Sequence, residues 1–209
     1  MTLDLHWKAL LQFLFAFACV FGGLALPIPG LGPSYVRAHA ALGNALVAGT
    51  TFDAGVSLEF VVSDAELAAH PWQLTLQARD PRRTQPVSVP IDLRTLLFLP
   101  VAAFAGLALA APLGSARRNA RVLGLGLLLL EPALLLLTAL PLLSFFGGTG
   151  PVHAFRLSPP LHVLFQTVYR ALVSPPGMMY ALPLLLWWGL IVRQKAVAAP
   201  TPPLPSVAR

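Results

Sequence analysis

The chain has 209 residues, of which 56% are hydrophobic and only 11% are charged, whereas soluble domains usually carry about 25% charged residues. Its mean hydropathy is +0.74. This composition excludes an ordinary water-soluble domain and predicts an integral membrane protein, for which the lipid bilayer is the first partner. The net charge is +6, but the cations lie at the ends of apolar segments and form no basic patch, so we expect no nucleic-acid partner.

The first apolar run, from about Ala9 to Leu26, predicts a membrane anchor with a short cytoplasmic end, over residues 1–26. A secretory signal peptide is the alternative. The run is about 18 residues long, which exceeds the usual apolar region of a signal peptide, and a small-residue cleavage site, Ala38-His39-Ala40, comes well after it. These two features favour an anchor that is not cleaved.

Residues 27–94 predict a folded segment on the far side of the membrane. Tyr35, His39, Leu42 and Leu46 recur at helical spacing, which indicates a short amphipathic helix. The period then changes to two over residues 56–62, 72–79 and 87–93, which predicts three strands of a small antiparallel sheet. Pro90 lacks a backbone donor, so the third strand should lie at an edge.

The remaining sequence predicts three further transmembrane helices and their connections. The predicted boundaries are transmembrane helix 2 over 95–112, a basic cytoplasmic loop over 113–121, transmembrane helix 3 over 122–143, a periplasmic loop with an amphipathic helix over 144–176, transmembrane helix 4 over 177–193, and a disordered, proline-rich cytoplasmic tail over 194–209. The predicted fold class is therefore a membrane all-α protein with a small extracytoplasmic β segment, about four transmembrane helices and one or two amphipathic interfacial helices.

The cations predict the orientation, because lysine and arginine in short connections stay in the cytoplasm. With a cytoplasmic N-terminus and C-terminus, half of the 14 lysines and arginines lie inside in short segments. These are Lys8, Arg117, Arg118, Arg121, Arg193, Lys195 and Arg209. We therefore expect a multipass protein of a bacterial inner membrane with its two longer loops in the periplasm.

Glu131, followed by Pro132, is the one acidic residue inside a predicted span. A central carboxylate costs about 3 kcal/mol on insertion scales, which the surrounding leucines outweigh. The other spans offer no second acid and no base, so the favoured interpretation is a protonated, hydrogen-bonded Glu131. The alternative is a polar contact between Glu131 and a partner subunit or a substrate.

No catalytic or cofactor motif is visible, so we expect a protein that is not an enzyme and binds no cofactor or metal. His153 and His162 have no metal-ligand spacing and are expected at the headgroups, and Cys19 is expected to act as a small apolar residue. Arg156 and Arg170 suit lipid phosphates. An enzyme that uses either histidine is the less favoured alternative.

Ala102, Gly106 and Ala110 follow one another at intervals of four in the second predicted span. Small residues at this spacing let two membrane helices approach closely. Internal packing is the favoured use of this face, and contact with a partner helix is the alternative.

The order of segments resembles the small exosortase-associated membrane proteins. The resemblance rests on one anchor, an outer β segment, Ile91-Asp92-Leu93-Arg94 leading into a Leu/Pro/Ala-rich span that ends in Ala111-Pro112, and an arginine-rich turn into a leucine-rich helix. It implies a noncatalytic accessory protein of the bacterial inner membrane that supports a membrane-bound or exported partner, a sorting transpeptidase. A small transporter or channel subunit that uses Glu131 is the alternative function.

Overall fold

The computed structural model describes residues 2–47, 55–111, 115–147, 158–172 and 178–198. The chain is mostly helical with one small three-stranded sheet, as the sequence predicted. The helices are α1 (Thr2–Ala25), α2 (Leu31–Val47), α3 (Asp64–Ala69), α4 (Leu99–Ala110), α5 (Ala116–Gly147), α6 (Pro159–Leu172) and α7 (Met178–Ala198). The strands are β1 (Ser57–Val61), β2 (Gln73–Arg79) and β3 (Val87–Asp92), and a π-helical turn (Arg94–Phe98) leads into α4.

The sheet is antiparallel in the order β1-β2-β3, with Phe60 opposite Leu76 and Leu76 opposite Val89. Leu74, Leu76 and Ala78 of the central strand are buried, which follows from their period of two. Pro90 lies on the outer strand β3, where its missing donor removes no bond from the sheet interior. The short helix α3 has no counterpart among the predicted elements and begins with Asp64 and Glu66 near its positive end.

The helix α2 lies against β1 and fixes the sheet to the helices. The Asn44 side chain donates from Nδ2 to the Phe60 carbonyl oxygen at 2.9 Å and accepts from the Phe60 amide at 2.7 Å. A Cβ atom on Gly43 would come within 2.6 Å of the Phe60 ring, so the absence of a side chain allows this close approach. The buried core continues without a break from the sheet residues Leu74 and Leu76 to the helices.

The helices α1 and α4 are antiparallel neighbours. Arg94, at the start of the turn before α4, donates from Nη2 to the Ala25 carbonyl oxygen at the end of α1 at 3.0 Å. Further along, Gly106 of α4 lies against Phe17 of α1. The helices α5 and α7 complete the packing around α4, and the Phe13 and Trp187 rings stack at 5.7 Å between α1 and α7.

Within the described residues, one helical stretch is long and apolar enough to cross a membrane. It covers Ala116–Ala139 in α5 and has a mean hydropathy of 2.2. Three apolar stretches are shorter: Leu10–Ala25, Arg94–Ala110 and Met179–Arg193. Of the four predicted spans, only α5 is therefore long and apolar enough to cross a membrane among the described residues.

Three predicted boundaries need correction. Residues 144–147, predicted as the start of the periplasmic loop, form the last turn of α5, which ends at Gly147. Residues 116–121, predicted as part of a basic loop, form the first turns of α5, because nothing in their sequence breaks a helix. Residues 194–198, predicted as part of a disordered tail, continue α7 to Ala198. The remainder of that predicted tail, residues 199–209, lies outside the described part of the chain.

Candidate functional site

Glu131 of α5 is met by two side chains from α2. The Tyr35 hydroxyl donates to Glu131 Oε1 at 3.3 Å, and His39 Nε2 lies 3.3 Å from the same oxygen. The His39 side chain is 12% exposed and that of Glu131 is 35% exposed. We call these three residues the Glu131 cluster. The cluster connects Glu131, the one acidic residue of the apolar helix α5, to the amphipathic helix α2, which packs against the sheet.

The local structure of α2 explains why Tyr35 and His39 act together. Residues four positions apart lie on the same face of a helix, and the two rings are 4.1 Å apart between centroids. The chain enters α2 through Gly30, whose φ of 78° suits glycine. Pro33 then occupies the first turn, where its missing amide removes no helical hydrogen bond.

The position of the His39 ring fixes which nitrogen carries a hydrogen. Nδ1 lies 2.9 Å from the Tyr35 carbonyl oxygen, which can only accept a hydrogen bond. Nδ1 is therefore the donor in this contact. It follows that a neutral His39 has its lone pair on Nε2, facing Glu131, and that a hydrogen bond between Nε2 and Oε1 requires one additional proton.

The carboxyl group of Glu131 contributes to raising the pKa values of both α2 side chains, Tyr35 and His39. The hydrogen bond to Glu131 raises the pKa of His39 above its ordinary value, against the opposing effect of burial. Burial, followed by the charge of Glu131 and the hydrogen bond to it, raises the pKa of Tyr35. Tyr35 thus stays a hydrogen-bond donor at every physiological pH.

Aromatic rings form one wall of the Glu131 cluster. The Trp72 and Phe98 rings lie 4.6 Å apart, and each is 5.8 Å from the Tyr35 ring. Trp72 precedes β2, and Phe98 ends the π-helical turn. The cluster is therefore placed where the sheet, α2 and the start of α4 meet α5.

A cavity of about 190 Å³ lies beside the cluster, between α2, the sheet and α5. Its lining is apolar except for His39 and Thr138. Thr138 Oγ1 already donates to the Leu134 carbonyl oxygen at 2.8 Å. Because both polar side chains have partners within the protein, the cavity suits apolar groups rather than a polar substrate.

The small residues predicted as a packing face occupy α4. Ala102 and Gly106 are buried and Ala110 is half-buried. A Cβ atom on Gly106 would lie 3.1 Å from the Phe17 ring of α1. Gly106 therefore faces a helix of the same chain.

The other predicted site residues lie away from Glu131. Arg170 is exposed on α6, and His162 of the same helix has its Nε2 3.0 Å from the Gln166 amide nitrogen. Cys19 is exposed on α1. His153 and Arg156 lie outside the described residues, and within those residues no group of three or more potential ligands could hold a metal ion.

Tyr35 and His39 share one helix face, as the sequence predicts, but the sequence does not connect that face with Glu131. The partners of Glu131 lie on α2, not on the other predicted spans. The missed signal was the chemistry of that face: two side chains able to donate a hydrogen bond share it with Leu42 and Leu46, which line the cavity beside α5. No family model, curated protein or solved structure matches the chain.

Proposed function

We propose that the chain is a multipass protein of the bacterial inner membrane and that α1, α4, α5 and α7 cross the bilayer. The exposed apolar surface of α1, α5 and α7 carries this proposal, and α4 packs against all three. Only 28% of the residues in the apolar window of α5 are buried, unlike the core helix of a soluble protein. Of the proposed spans, these three carry large apolar side chains that are more than 60% exposed, namely Trp7, Phe15, Leu128, Leu136, Leu185 and Trp188.

The lengths of the helices are compatible with this proposal. The full helices α1 and α7 have 24 and 21 residues, of which Leu10–Ala25 and Met179–Arg193 are apolar. About 20 residues cross the hydrocarbon core, so the polar ends of these two helices would reach the membrane interfaces. The π-helical turn and α4 together form a shorter segment, and Arg94 at its start donates to the end of α1. Local thinning of the bilayer or a snorkelling arginine accommodates such a segment.

The proposed orientation has both termini in the cytoplasm and the sheet in the periplasm. Lys8, Arg117 and Arg118 are exposed and lie at the ends of α1 and α5 that this orientation places inside. The positive-inside rule supports this arrangement.

Cysteine labelling tests the number of crossings. In a Cys19→Ser background, single cysteines replace the exposed residues Thr84, Ser115 and Ser158 in turn, and intact spheroplasts are treated with a membrane-impermeant maleimide. With four crossings, positions 84 and 158 are labelled and position 115 reacts only after the membrane is disrupted. If only α5 crosses, positions 84 and 115 share one side and position 158 lies on the other, which would overturn the proposal.

Within the membrane, we propose a noncatalytic accessory role: the chain holds a periplasmic sheet in a fixed position for a membrane-bound or exported partner, a sorting transpeptidase of the exosortase type. The observation that carries this role is the attachment of the sheet to α5 through α2. Asn44 holds α2 to β1, and Tyr35 and His39 hold α2 to Glu131. In the described residues, the hydrogen-bond partners of Glu131 are these two side chains.

Site-specific photo-crosslinking tests the accessory role. A photoreactive residue replaces the exposed Ser88 of β3, and the matched control replaces Leu128, which is 70% exposed on α5. We expect an adduct with the sorting enzyme from Ser88, lost when that enzyme is deleted, and lipid adducts from Leu128. Unchanged processing of the enzyme's substrates in cells that lack this chain would refute the role.

A small proton-coupled transporter or channel subunit is the second candidate, and the pairing of His39 with Glu131 favours it. Proton relays in membranes use such residues. Vesicles that contain the purified protein and an internal pH-sensitive dye distinguish the two functions. Proton flux that disappears in Glu131→Gln supports transport, whereas flux equal to that of empty vesicles supports the accessory role.

A further inference from the structure

We propose that His39 and Glu131 form a binding site for one exchangeable proton, and that this proton holds α2 against α5. The proposal goes beyond the accessory role and does not depend on it. It rests on two contacts of the His39 ring: Nδ1 with the Tyr35 carbonyl oxygen, and Nε2 with Glu131 Oε1.

The first step is the fixed tautomer of His39. Nδ1 is 2.9 Å from a backbone carbonyl oxygen of its own helix, so this nitrogen keeps its hydrogen in the neutral ring. A flip of the ring would place Cδ2 near the Tyr35 carbonyl oxygen and Cε1 near Glu131 Oε1, and would lose both contacts. The nitrogen that gains or loses a proton is therefore Nε2.

The second step concerns the contact between Nε2 and Glu131. Without the additional proton, the Nε2 lone pair and the carboxylate oxygen are two acceptors 3.3 Å apart with no hydrogen between them. With the proton, they form a charge-assisted hydrogen bond. The Tyr35 hydroxyl donates to the same oxygen in either state. The proton thus converts a repulsive contact into an attractive one.

The third step is the surroundings, because other charges could decide the protonation of His39. The charged side chains on the neighbouring elements have other partners. Arg37 pairs with Asp64 at 2.8 Å, and Arg79 lies 3.9 Å from Glu59. Arg94 donates to the Ala25 carbonyl oxygen, and Asp92 accepts from the Thr95 hydroxyl. The α5 cations Arg117, Arg118 and Arg121 precede Glu131 by at least ten residues, about 15 Å along the helix. Among the described residues, Glu131 is therefore the charge that acts on His39.

The consequence for the fold is specific. Since α2 is bonded to β1 through Asn44, the proton at His39 couples the position of the sheet to α5. Protonation holds this assembly together, and loss of the proton leaves Tyr35 as the remaining polar contact between α2 and Glu131.

Nitrogen-15 NMR of the full chain, labelled at its five histidines and held in detergent micelles, tests the proposal. His39→Gln assigns the signal, and His70→Gln, which removes an exposed histidine, is the matched control. We expect His39 to titrate above the ordinary midpoint of about 6.5 and to show the Nδ1–H tautomer at high pH. We expect Glu131→Gln to lower that midpoint and His70→Gln to leave it unchanged.

Two results would overturn the proposal: an Nε2–H tautomer at high pH, or a His39 midpoint that is the same in the wild type and in Glu131→Gln. If Glu131→Gln does not fold, Tyr35→Phe provides the second variant, because it keeps both proton-binding groups and the carbonyl oxygen. The tautomer and the raised midpoint should then persist in Tyr35→Phe, and loss of either refutes the site. The measurement needs no partner, so its failure is separate from failure of the accessory role.

Discussion

The ring of Phe104 on α4 lies directly against the backbone of Gly126 on α5. Phe104 is fully buried, and a Cβ atom on Gly126 would overlap its ring. The contact between these two residues sets the distance between α4 and α5, and the absence of a side chain at position 126 is what permits it.

Gly126→Ala should therefore destabilise the protein by about 1–3 kcal/mol, the usual cost of overpacking. Gly124→Ala is the matched control, because a Cβ atom there meets nothing within 4 Å. The control should be neutral or stabilising by up to about 1 kcal/mol, since alanine favours helix. Thermal unfolding in mild detergent measures both. Equal melting temperatures for the two variants would contradict the close contact.

Asn44→Ala should loosen α2 from β1. The variant loses two hydrogen bonds to Phe60 and leaves the partly buried backbone groups of that residue without their partner, at a cost of about 1–3 kcal/mol. Arg37→Ala is the control: it breaks the pair with Asp64, whose side chains are 57% and 88% exposed, and should cost at most about 1 kcal/mol. Denaturant titration in detergent compares them, and a larger loss in Arg37→Ala would contradict this ranking.

The stability of the fold should depend on pH through His39. Because its folded pKa is raised, the protonated form stabilises the folded state. This contribution is fully present below the ordinary pKa of about 6.5 and disappears as the pH rises through the raised folded value. Melting temperatures measured across that range should fall for the wild type more than for His39→Gln. Parallel curves for the two proteins would show that His39 makes no such contribution.

Arg94→Ala should destabilise the junction between α1 and α4. It removes the hydrogen bond to the Ala25 carbonyl oxygen, which lies at a helix end and has few other partners, at a cost of about 1 kcal/mol. Arg79→Ala serves as the control, because its contact with Glu59 is long and exposed. Limited proteolysis measures the rate of cleavage between α1 and α2, which should be higher in Arg94→Ala than in Arg79→Ala. Cleavage rates that match in the two variants would argue against a role for Arg94.

The sequence was sufficient to predict the sheet and the mostly helical character of the chain. Alternation over 72–79 could be read directly, because Leu74, Leu76 and Ala78 are buried, whereas on the other face Gln73, Gln77 and Arg79 are not and only Thr75 is. Helix ends were less predictable. Residues 116–121 resemble a loop because they are polar, but they contain no helix breaker, and α5 begins at Ala116. The predicted start of the second span at residue 95 lies within one residue of the π-helical turn that leads into α4, but the π-helical geometry itself has no clear signature in side-chain periodicity.

The site was predictable in one part only. Glu131 stood out because it is a carboxylate within a run of leucines. Tyr35 and His39 are 96 and 92 residues away in the chain, and no local pattern records which face of α5 receives α2. The same reason hid the pairing of Phe104 with Gly126, since glycine in an apolar helix has many uses and its neighbour is set by tertiary packing.

The direct passage from β3 into the turn before α4 has a mechanical consequence. Only Leu93 separates the end of β3 at Asp92 from the turn that begins at Arg94, and the Leu93 amide donates to the Trp72 carbonyl oxygen at 3.0 Å. This one-residue junction is too short to extend when the sheet is pulled. Force applied to β3 from outside would tilt α4 as a lever, and through Phe104 and Gly126 would strain α5.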